Sequence, residues 1–355
     1  DYSLYMALKF YFGGIEWDQW EDEIRMHKKS AVAHYTKLLQ SEIGFWKFCQ
    51  YKFYSQWKKL KKYANKKDIK IIGDIPLYMA LDSADVWAHG ELFELDERKK
   101  PIHVAGVPPD CFSEDGQLWG NPIYNWKKME HTGFAWWYQR MRSNANLYDV
   151  IRIDHFIGIV NYWSIPADSQ TAINGKWKKG PGKKLTKVIK KATKGASIIA
   201  EDLGVVGDNV RALIQKTGWP GMKILLFAFD DENGANEYLP HNYASENCIV
   251  YGGTHDNDTI VGYYKEKSDE EIKFVKQYLG ISKKEDLPRA MIRCGYASIA
   301  KTAVFQMQDI LALDNSARMN CPSTVGTNWK WRMLPNQFTT DHIRFLKKMC
   351  RLYNR

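Results

Sequence analysis

Short apolar segments that end in charged residues constrain the fold of this chain more than any other feature of its sequence. Each segment is continuous in apolar side chains, the pattern of a strand that is buried on both faces of a parallel sheet. The five predicted strands are 69–77, 148–154, 196–202, 222–229 and 247–256. A sixth apolar segment, 303–311, is compatible with a strand or a helix, because periodicity alone does not separate the two.

Helical segments lie between the predicted strands. Apolar residues recur every three or four positions in 31–65, and a shorter helix-like stretch covers 208–218. Alternating strands and helices predict an α/β fold, either a doubly wound sheet or a (β/α)8 barrel. The sequence has no Rossmann G-x-G-x-x-G fingerprint and no Walker A loop. Because polar residues gather at the carboxyl ends of several strands, we predict a TIM-type barrel with helical insertions.

The net charge of +10 raises the question of a nucleic-acid partner. Many of the lysines, however, fall in segments such as 183–194, where Leu185, Val188 and Ile189 recur at helical spacing. Such lysines are typical of the solvated face of a helix. We therefore predict no nucleic-acid partner.

The remaining composition indicates an ordinary globular protein of 355 residues, with 45% apolar and 26% charged residues. No apolar run approaches the roughly 18 residues of a membrane span, and the amino terminus has no signal-peptide pattern. The six cysteines are scattered without a C-x-x-C pair, which argues against a disulfide framework and a structural zinc site. We therefore predict a cytoplasmic location.

Acidic residues stand at the ends of three predicted strands and within a fourth, with basic residues beside them. The acidic set is Asp74, Asp154, Glu201, Asp202 and Asp256, and the basic set is Arg152, His155 and His255. In a closed barrel these groups would meet at one mouth, where the cations would offset the repulsion between the carboxylates. Single acids at strand ends often only cap the next helix, but acids on four strands, with an arginine and two histidines beside them, favour a functional site.

Two chemistries compete for this set of residues. A metal site is disfavoured, since H-x-H and H-E-x-x-H are absent, and His255 and Asp256 would point to opposite faces if their strand were extended. Retaining glycoside chemistry fits better, because it needs one carboxylate as nucleophile and one carboxylic acid to protonate the leaving oxygen.

Longer motifs then identify a resemblance. AGVPPDCFSEDGQLWGNPIYNW, RIDHF, IAEDLG, THDNDT and ARMNCPSTVGTNWKWR occur in this order. They resemble the 4-α-glucanotransferases (amylomaltase or disproportionating enzyme) of glycoside hydrolase family 77, and the resemblance covers essentially the whole chain. It implies transfer of α-1,4-glucan segments between a maltodextrin donor and acceptor through a covalent glucosyl-enzyme, without a cofactor or metal.

The resemblance also implies roles for individual residues. Asp154 matches the nucleophile, Glu201 the general acid/base, and Asp256 the carboxylate that stabilises the transition state. The implied substrate-binding residues are Asp74, Asp110, Gln117, Trp119, Arg152, His155, His255 and Asn320. Physical chemistry adds two expectations: Arg152 should keep Asp154 ionised, and the surroundings of Glu201 should raise its pKa. The loop 105–126 is expected to act as a lid that excludes water from the intermediate.

Three residues depart from the family pattern, in which Cys111 is usually tyrosine, Ile157 commonly arginine and Ser323 glycine. Cys111 therefore puts the preference for acceptor glucans in doubt. A larger departure concerns the opening DYSLYMALKFYFGG, which matches an internal segment of the family. We therefore expect six barrel strands, numbers three to eight, with the first two lacking, and a fragment that by itself folds poorly or is inactive.

The expected organisation has three parts: a helical insertion region at 1–68, barrel strands at 69–312 with the lid loop, and an active-site loop and closing helix at 313–355. Two alternative functions stay open, a glucan hydrolase of the α-amylase clan and an inactive glucan-binding fragment. A metal-dependent hydrolase is least favoured. The sequence leaves acceptor length, cyclisation and oligomeric state undetermined.

Overall fold

The computed structural model describes residues 1–109, 113–204, 206–229, 234–322 and 324–355. The chain divides into two compact units, Asp1–Trp219 and Pro220–Arg355. Each unit contains one three-stranded parallel sheet, so the predicted α/β class is confirmed. The predicted three-part division stays a prediction.

The first unit holds ten helices and seven strands among its described residues. The helices are α1 Tyr2–Tyr11, α2 Asp22–Arg25, α3 Lys29–Leu38, α4 Gln40–Asn65, α5 Ala84–Ala88, α6 Trp126–His131, α7 Ala135–Leu147, α8 Ile157–Val160, α9 Lys183–Ala192 and α10 Asp208–Thr217. The strands are β1 Ile72–Ile75, β2 His103–Val107, β3 Gln117–Pro122, β4 Val150–Ile153, β5 Asn161–Pro166, β6 Lys176–Lys179 and β7 Ser197–Ala200. Single 3₁₀ turns cover Trp17–Gln19 and Gly90–Leu92.

The parallel sheet of this unit has the order β1-β4-β7, and all three strands were predicted. The hydrophobic core of this unit includes fully buried aromatic side chains from many elements, among them Trp17, Trp87, Tyr124, Trp137 and Phe156. Burial of such large apolar groups is the main driving force for folding. This buried core fixes the sheet, and with it the carboxyl ends of its strands, against the surrounding elements.

A second sheet of this unit is antiparallel, with the order β3-β2-β5-β6. The sequence did not reveal it, because its strands carry lysines, glycines and prolines in place of a continuous apolar run. The segment 105–126, which we predicted to be a loop, contains the end of β2 and all of β3.

The predicted helix 31–65 is two helices, α3 and α4, which meet at Leu39. Neither proline nor glycine marks this break, and Leu39 is buried at the corner. In α9, Leu185 and Ile189 are fully buried while most lysines are exposed, which confirms that its lysines form a solvated helix face.

The second unit contains strands β8 Gly221–Ile224, β9 Cys248–Tyr251 and β10 Thr302–Val304, and helices α11 Ile260–Lys265, α12 Lys273–Leu279, α13 Leu287–Ala297, α14 Met307–Ile310 and α15 Thr340–Tyr353. Its 3₁₀ turns are Leu225–Phe229, Pro240–Asn242, Lys284–Asp286 and Asn315–Ala317. The parallel sheet has the order β10-β9-β8.

Three predicted strands of this unit differ in extent from the observed ones. Only the first half of 222–229 is a strand, and the rest is a 3₁₀ turn. Segment 303–311 overlaps both β10 and α14. Segment 247–256 leaves the sheet after Tyr251, where Gly252 and Gly253 follow. Apolar runs do not show where backbone pairing stops, since that depends on neighbouring strands. Within the described part of the chain, no helix is both long and apolar enough to cross a membrane.

Candidate active site

Arg152 is the centre of the charged cluster in the first unit. It lies on β4 opposite Asp74 of β1, its partner in the parallel register. Its Nη1 donates to both carboxylate oxygens of Asp74, at 2.9 and 2.7 Å, and to Oδ1 of Asp154 at 2.8 Å. Only 7% of Arg152 is exposed. Strand pairing thus places one buried cation between two carboxylates.

Electrostatics keeps this guanidinium charged. Burial opposes the charged form, but the negative charges of Asp74, Asp154 and Glu201 outweigh it and raise the pKa of Arg152 above its ordinary value. The ion pairs place a permanent positive charge beside Asp154, as the sequence led us to expect.

Glu201 directly follows β7, the neighbour of the strand β4 that Asp154 follows. Ile153 of β4 pairs with Ala200 of β7, so the two carboxylates follow their strands at the same level. Neighbouring strands are about 4.8 Å apart, so the two residues start from adjacent backbone positions. The backbone N–H groups of His155 and Leu203 each donate to Glu201 at 2.6 Å. The expected proximity of Asp154 and Glu201 is confirmed.

The pKa of Glu201 is raised to about 7, as we expected for a general acid. Burial is the main cause, and the negative charge of Asp154 adds to it. Arg152 and the two backbone donors oppose the rise. The two carboxyls therefore differ in environment: Glu201 is enclosed, whereas the Asp154 side chain is 41% exposed.

The raised pKa of Glu201 predicts a pH-dependent contribution to stability. In the native state Glu201 retains its proton to about pH 7, whereas in the unfolded chain it loses it near 4.5. Its contribution to the free energy of unfolding is therefore complete below about pH 4.5 and falls by about 3 kcal/mol as the pH rises to about 7. Chemical denaturation from pH 4.5 to 8 should show this fall as a decrease in the free energy of unfolding of the wild type relative to that of Glu201→Gln.

Glu270→Gln provides the matched control, because the Glu270 side chain is 81% exposed. Its stability difference from the wild type should change little with pH. A constant difference between the wild type and Glu201→Gln would contradict the burial-raised pKa.

His155 and Trp119 form an aromatic corner beside these carboxyls. His155 has a positive φ of 50°, a conformation uncommon for residues other than glycine. Its ring lies 4.8 Å from that of Trp119, nearly perpendicular to it. Burial lowers the pKa of His155 to about 4 against the opposing effect of Asp154, so the imidazole is neutral at pH 7. Gln117 accepts a hydrogen bond from Trp119 Nε1 at 3.0 Å.

Sequence reasoning did not single out Tyr78, which lies behind this corner. Its ring is buried, with its centroid 6.3 Å from those of both Trp119 and His155. Gly158 fits the same space, since a Cβ there would come within 2.4 Å of Leu77 and 3.3 Å of the Tyr78 hydroxyl. Ile157, where the family commonly has arginine, is buried at the start of α8. Asp110, Cys111 and Ser323 lie outside the described residues.

In the second unit, Asp256 is held by three groups. Asn320 Nδ2 donates to its Oδ1 at 2.6 Å, and His255 Nε2 lies 3.3 Å from its Oδ2. Arg318 donates to its backbone oxygen at 2.7 Å. His255 and Asp256 would point to opposite faces only in an extended strand; both instead lie in a turn after β9, where strand alternation does not apply.

Arg318 and Trp329 are further residues of this cluster that sequence reasoning missed. The Trp329 ring is 61% exposed and its centroid lies 5.2 Å from that of His255. Both residues fall inside the motif 317–332, so the motif was the available signal. Among the described residues, no group of three or more His, Cys, Asp or Glu is arranged to hold a metal ion.

Comparisons with known proteins address the family directly. The family described as 4-alpha-glucanotransferase, glycoside hydrolase family 77, matches residues 1–337. A 4-alpha-glucanotransferase of Clostridium butyricum is 48% identical over 100% of this chain and 73% of its own length. One of Thermus thermophilus is 45% identical, over 99% of this chain and 71% of its own.

A solved structure agrees with these sequence relatives. The amylomaltase from Streptococcus agalactiae in complex with acarbose is 43% identical, superposes with a TM-score of 0.95, and is matched over 99% of this chain and 71% of its own length. Agreement of sequence and backbone over the whole chain confirms the resemblance seen in the motifs. The chain belongs to the 4-alpha-glucanotransferase family, glycoside hydrolase family 77.

Proposed function

We propose that this protein is a glycosyltransferase that moves α-1,4-glucan segments from one maltodextrin to another by a retaining double displacement. The observation that carries the proposal is the pair Asp154 and Glu201, at the same level of neighbouring strands. Arg152 is paired with Asp154, and burial raises the pKa of Glu201 to about 7. This reaction requires one carboxylate as nucleophile and one carboxylic acid that gives a proton to the leaving oxygen.

In the first step Asp154 attacks the anomeric carbon of the donor, and the bond from that carbon to the leaving oxygen breaks. Glu201 gives its proton to this oxygen, which leaves a covalent glucosyl-enzyme on Asp154. In the second step Glu201 accepts a proton from a hydroxyl of the acceptor glucan. That hydroxyl oxygen bonds to the anomeric carbon and releases Asp154 as a carboxylate.

Asp256 is proposed as the carboxylate that stabilises the charge developing on the sugar. The support is the family match, together with the hydrogen bond from Asn320 and the contact with His255, which orient its two oxygens. Oriented groups stabilise a transition state without reorganisation. Asp74, His155, His255 and Asn320 are proposed to contact the substrate. The S. agalactiae amylomaltase binds acarbose, and we extend saccharide binding to this chain on that basis.

Transfer in preference to hydrolysis requires an acceptor sugar to displace water at the intermediate. We assign this task to the segment 105–126, with Gln117 and Trp119 on β3 and Asp110 as a further acceptor-side residue. The contact between Trp119 and His155 supports it, because an aromatic ring there limits access of water to the neighbouring carboxyls.

Incubation with maltotriose separates transfer from its alternatives. We expect glucose together with maltodextrins longer than the substrate, since each glucan removed from one molecule is added to another. Chromatography of the products with time is the measurement, and a chelator should have no effect. Glucose and maltose alone would identify a hydrolase. Binding without turnover would identify an inactive glucan-binding protein.

For the fold we propose the finer description, a TIM-type (β/α)8 barrel to which the six parallel strands contribute strands three to eight. Its support is that the outer strands of the two parallel sheets, β1, β7, β8 and β10, each pair with one neighbour among the described strands, and that Ile72 of β1 is 43% exposed. Unpaired strand edges are normally covered. The division at 1–68, 69–312 and 313–355 belongs to the same proposal.

We propose a cytoplasmic location as well. All five described cysteines are free thiols, which suits a reducing compartment.

A further inference from the structure

Helix α14 lies beside the segment 252–260, which carries His255 and Asp256. Its residue Asp309 is 1% exposed, and its carboxyl reaches both ends of that segment. At the far end, Oδ1 accepts a hydrogen bond from the backbone N–H of Ile260 at 2.8 Å. At the near end, Oδ2 lies so close to Gly252 that a Cβ on this glycine would be 3.5 Å from it. One side chain therefore spans the base of the turn.

Two glycines make this close approach possible. A Cβ on Gly252 would lie 3.0 Å from the ring of Phe305. A Cβ on Gly253 would lie 2.9 Å from Leu226 and 3.3 Å from Nε2 of Gln306, the residue that precedes α14. Larger residues at positions 252 and 253 would push the turn away from α14. The backbone of the turn therefore packs directly against neighbouring side chains.

The same helix supports the second segment that holds Asp256. Gln308 is 3% exposed, and its Nε2 donates to the backbone oxygen of Ala317 at 3.2 Å. Ala317 precedes Arg318, which donates to the Asp256 backbone, and Asn320 donates to its carboxylate. Both segments that fix the position of Asp256 are thus attached to α14.

A carboxyl in this place is costly for stability. Oδ2 of Asp309 has no hydrogen-bond partner among the described residues. Burial raises the pKa of Asp309 to about 7, the charge of Asp258 adds to the rise, and the N–H of Ile260 opposes it. Buried polar groups are normally fully paired, so one retained without a second partner points to a role beyond packing.

We infer that Asp309 is a positioning residue for glycosyl transfer, which holds the ends of 252–260 and thereby sets the direction of the Asp256 carboxylate. This inference rests on the proposed function of the same site. Asp309 itself does not touch the substrate; it acts through the turn.

Two substitutions at this position separate positioning from general packing. Asp309→Asn keeps an oxygen for the Ile260 N–H, whereas Asp309→Leu removes the acceptor and keeps the same branched arrangement of side-chain heavy atoms. We expect Asp309→Leu to lower kcat about tenfold or more with a smaller change in KM, and Asp309→Asn to stay within about threefold of the wild type. Val275→Ala, at a buried position of α12, is the matched control. It should lower the melting temperature without changing kcat.

A double-mutant cycle on kcat/KM with Asn320→Ala tests the route of the effect. Because both residues act on Asp256, the loss from Asp309→Leu should be clearly smaller in the Asn320→Ala background than in the wild type. Additive losses, or a kcat of Asp309→Leu within twofold of the wild type, would overturn the inference.

Hydrogen exchange provides a readout that does not depend on turnover. We expect faster exchange at 252–260 in Asp309→Leu than in the wild type, and no such increase in Asp309→Asn. Exchange in α13 should change little in either variant. Equal protection of 252–260 in all three proteins would overturn the inference, even if the wild type were found to transfer no glucan. If the exchange pattern were as expected but the wild type transferred no glucan, only the proposed function would be contradicted.

Discussion

Replacing Glu201 by glutamine is expected to lower transfer between maltodextrins by about a thousandfold, within the range that general acid–base catalysis contributes. The amide can neither protonate the leaving oxygen nor accept a proton from the incoming hydroxyl. The change is nearly isosteric, and glutamine retains an oxygen that accepts from the N–H of His155 or Leu203. The fold should therefore persist.

An activated donor sharpens this test. Glucosyl fluoride has a leaving group that needs no proton, so the first step should proceed in Glu201→Gln while the second is slow. We expect a covalent glucosyl adduct to accumulate, and peptide mass spectrometry should place it on Asp154. The double variant Asp154→Asn, Glu201→Gln is the control and should carry no adduct. An adduct on another residue, or near-normal transfer by Glu201→Gln, would contradict the assigned roles.

Replacing Arg152 by methionine is expected to have the largest effect on stability. The change removes the buried cation that pairs with Asp74 and Asp154 and leaves three acidic groups together. Breaking a buried pair typically costs about 3–5 kcal/mol; we expect about 3 kcal/mol, because both carboxylate side chains are partly exposed and water screens them. Denaturant unfolding at pH 7 measures the loss.

A second substitution shows whether uncompensated charge is the cause. Asp74→Asn added to Arg152→Met should restore about 1 kcal/mol, although the same change alone should destabilise the wild type. The pKa of Glu201 should also rise further in Arg152→Met, since Arg152 lowers it in the wild type. An Arg152→Met protein as stable as the wild type would show that the cluster is held together in another way.

Much of the site was predictable because its residues follow strands whose apolar sequence is continuous. The positions of Asp154 and Glu201 at strand ends were expected and are observed, and burial raises the pKa of Glu201 in the expected direction. Arg318 and Trp329 were missed even though they lie inside a recognised motif, because a motif does not show which of its side chains meet. Tyr78, which directly follows the predicted strand 69–77, was missed as well. Asp309 gave no signal at all, since its importance depends on contacts with a segment about fifty residues away.

The sequence by itself determined five of the six strands of the parallel sheets, the solvated face of α9, the family and the identity of the acidic groups. These properties depend on local pattern and on residue type, which the chain carries along its length. Tertiary structure decided which charges pair, how deeply each carboxyl is buried and where a strand gives way to a turn. Asp74 meets Arg152 only through strand register, and His255 meets Asp256 only because the chain turns after Gly252 and Gly253. Pairing and burial are set by neighbours distant in sequence, so they emerge only when the chain has folded.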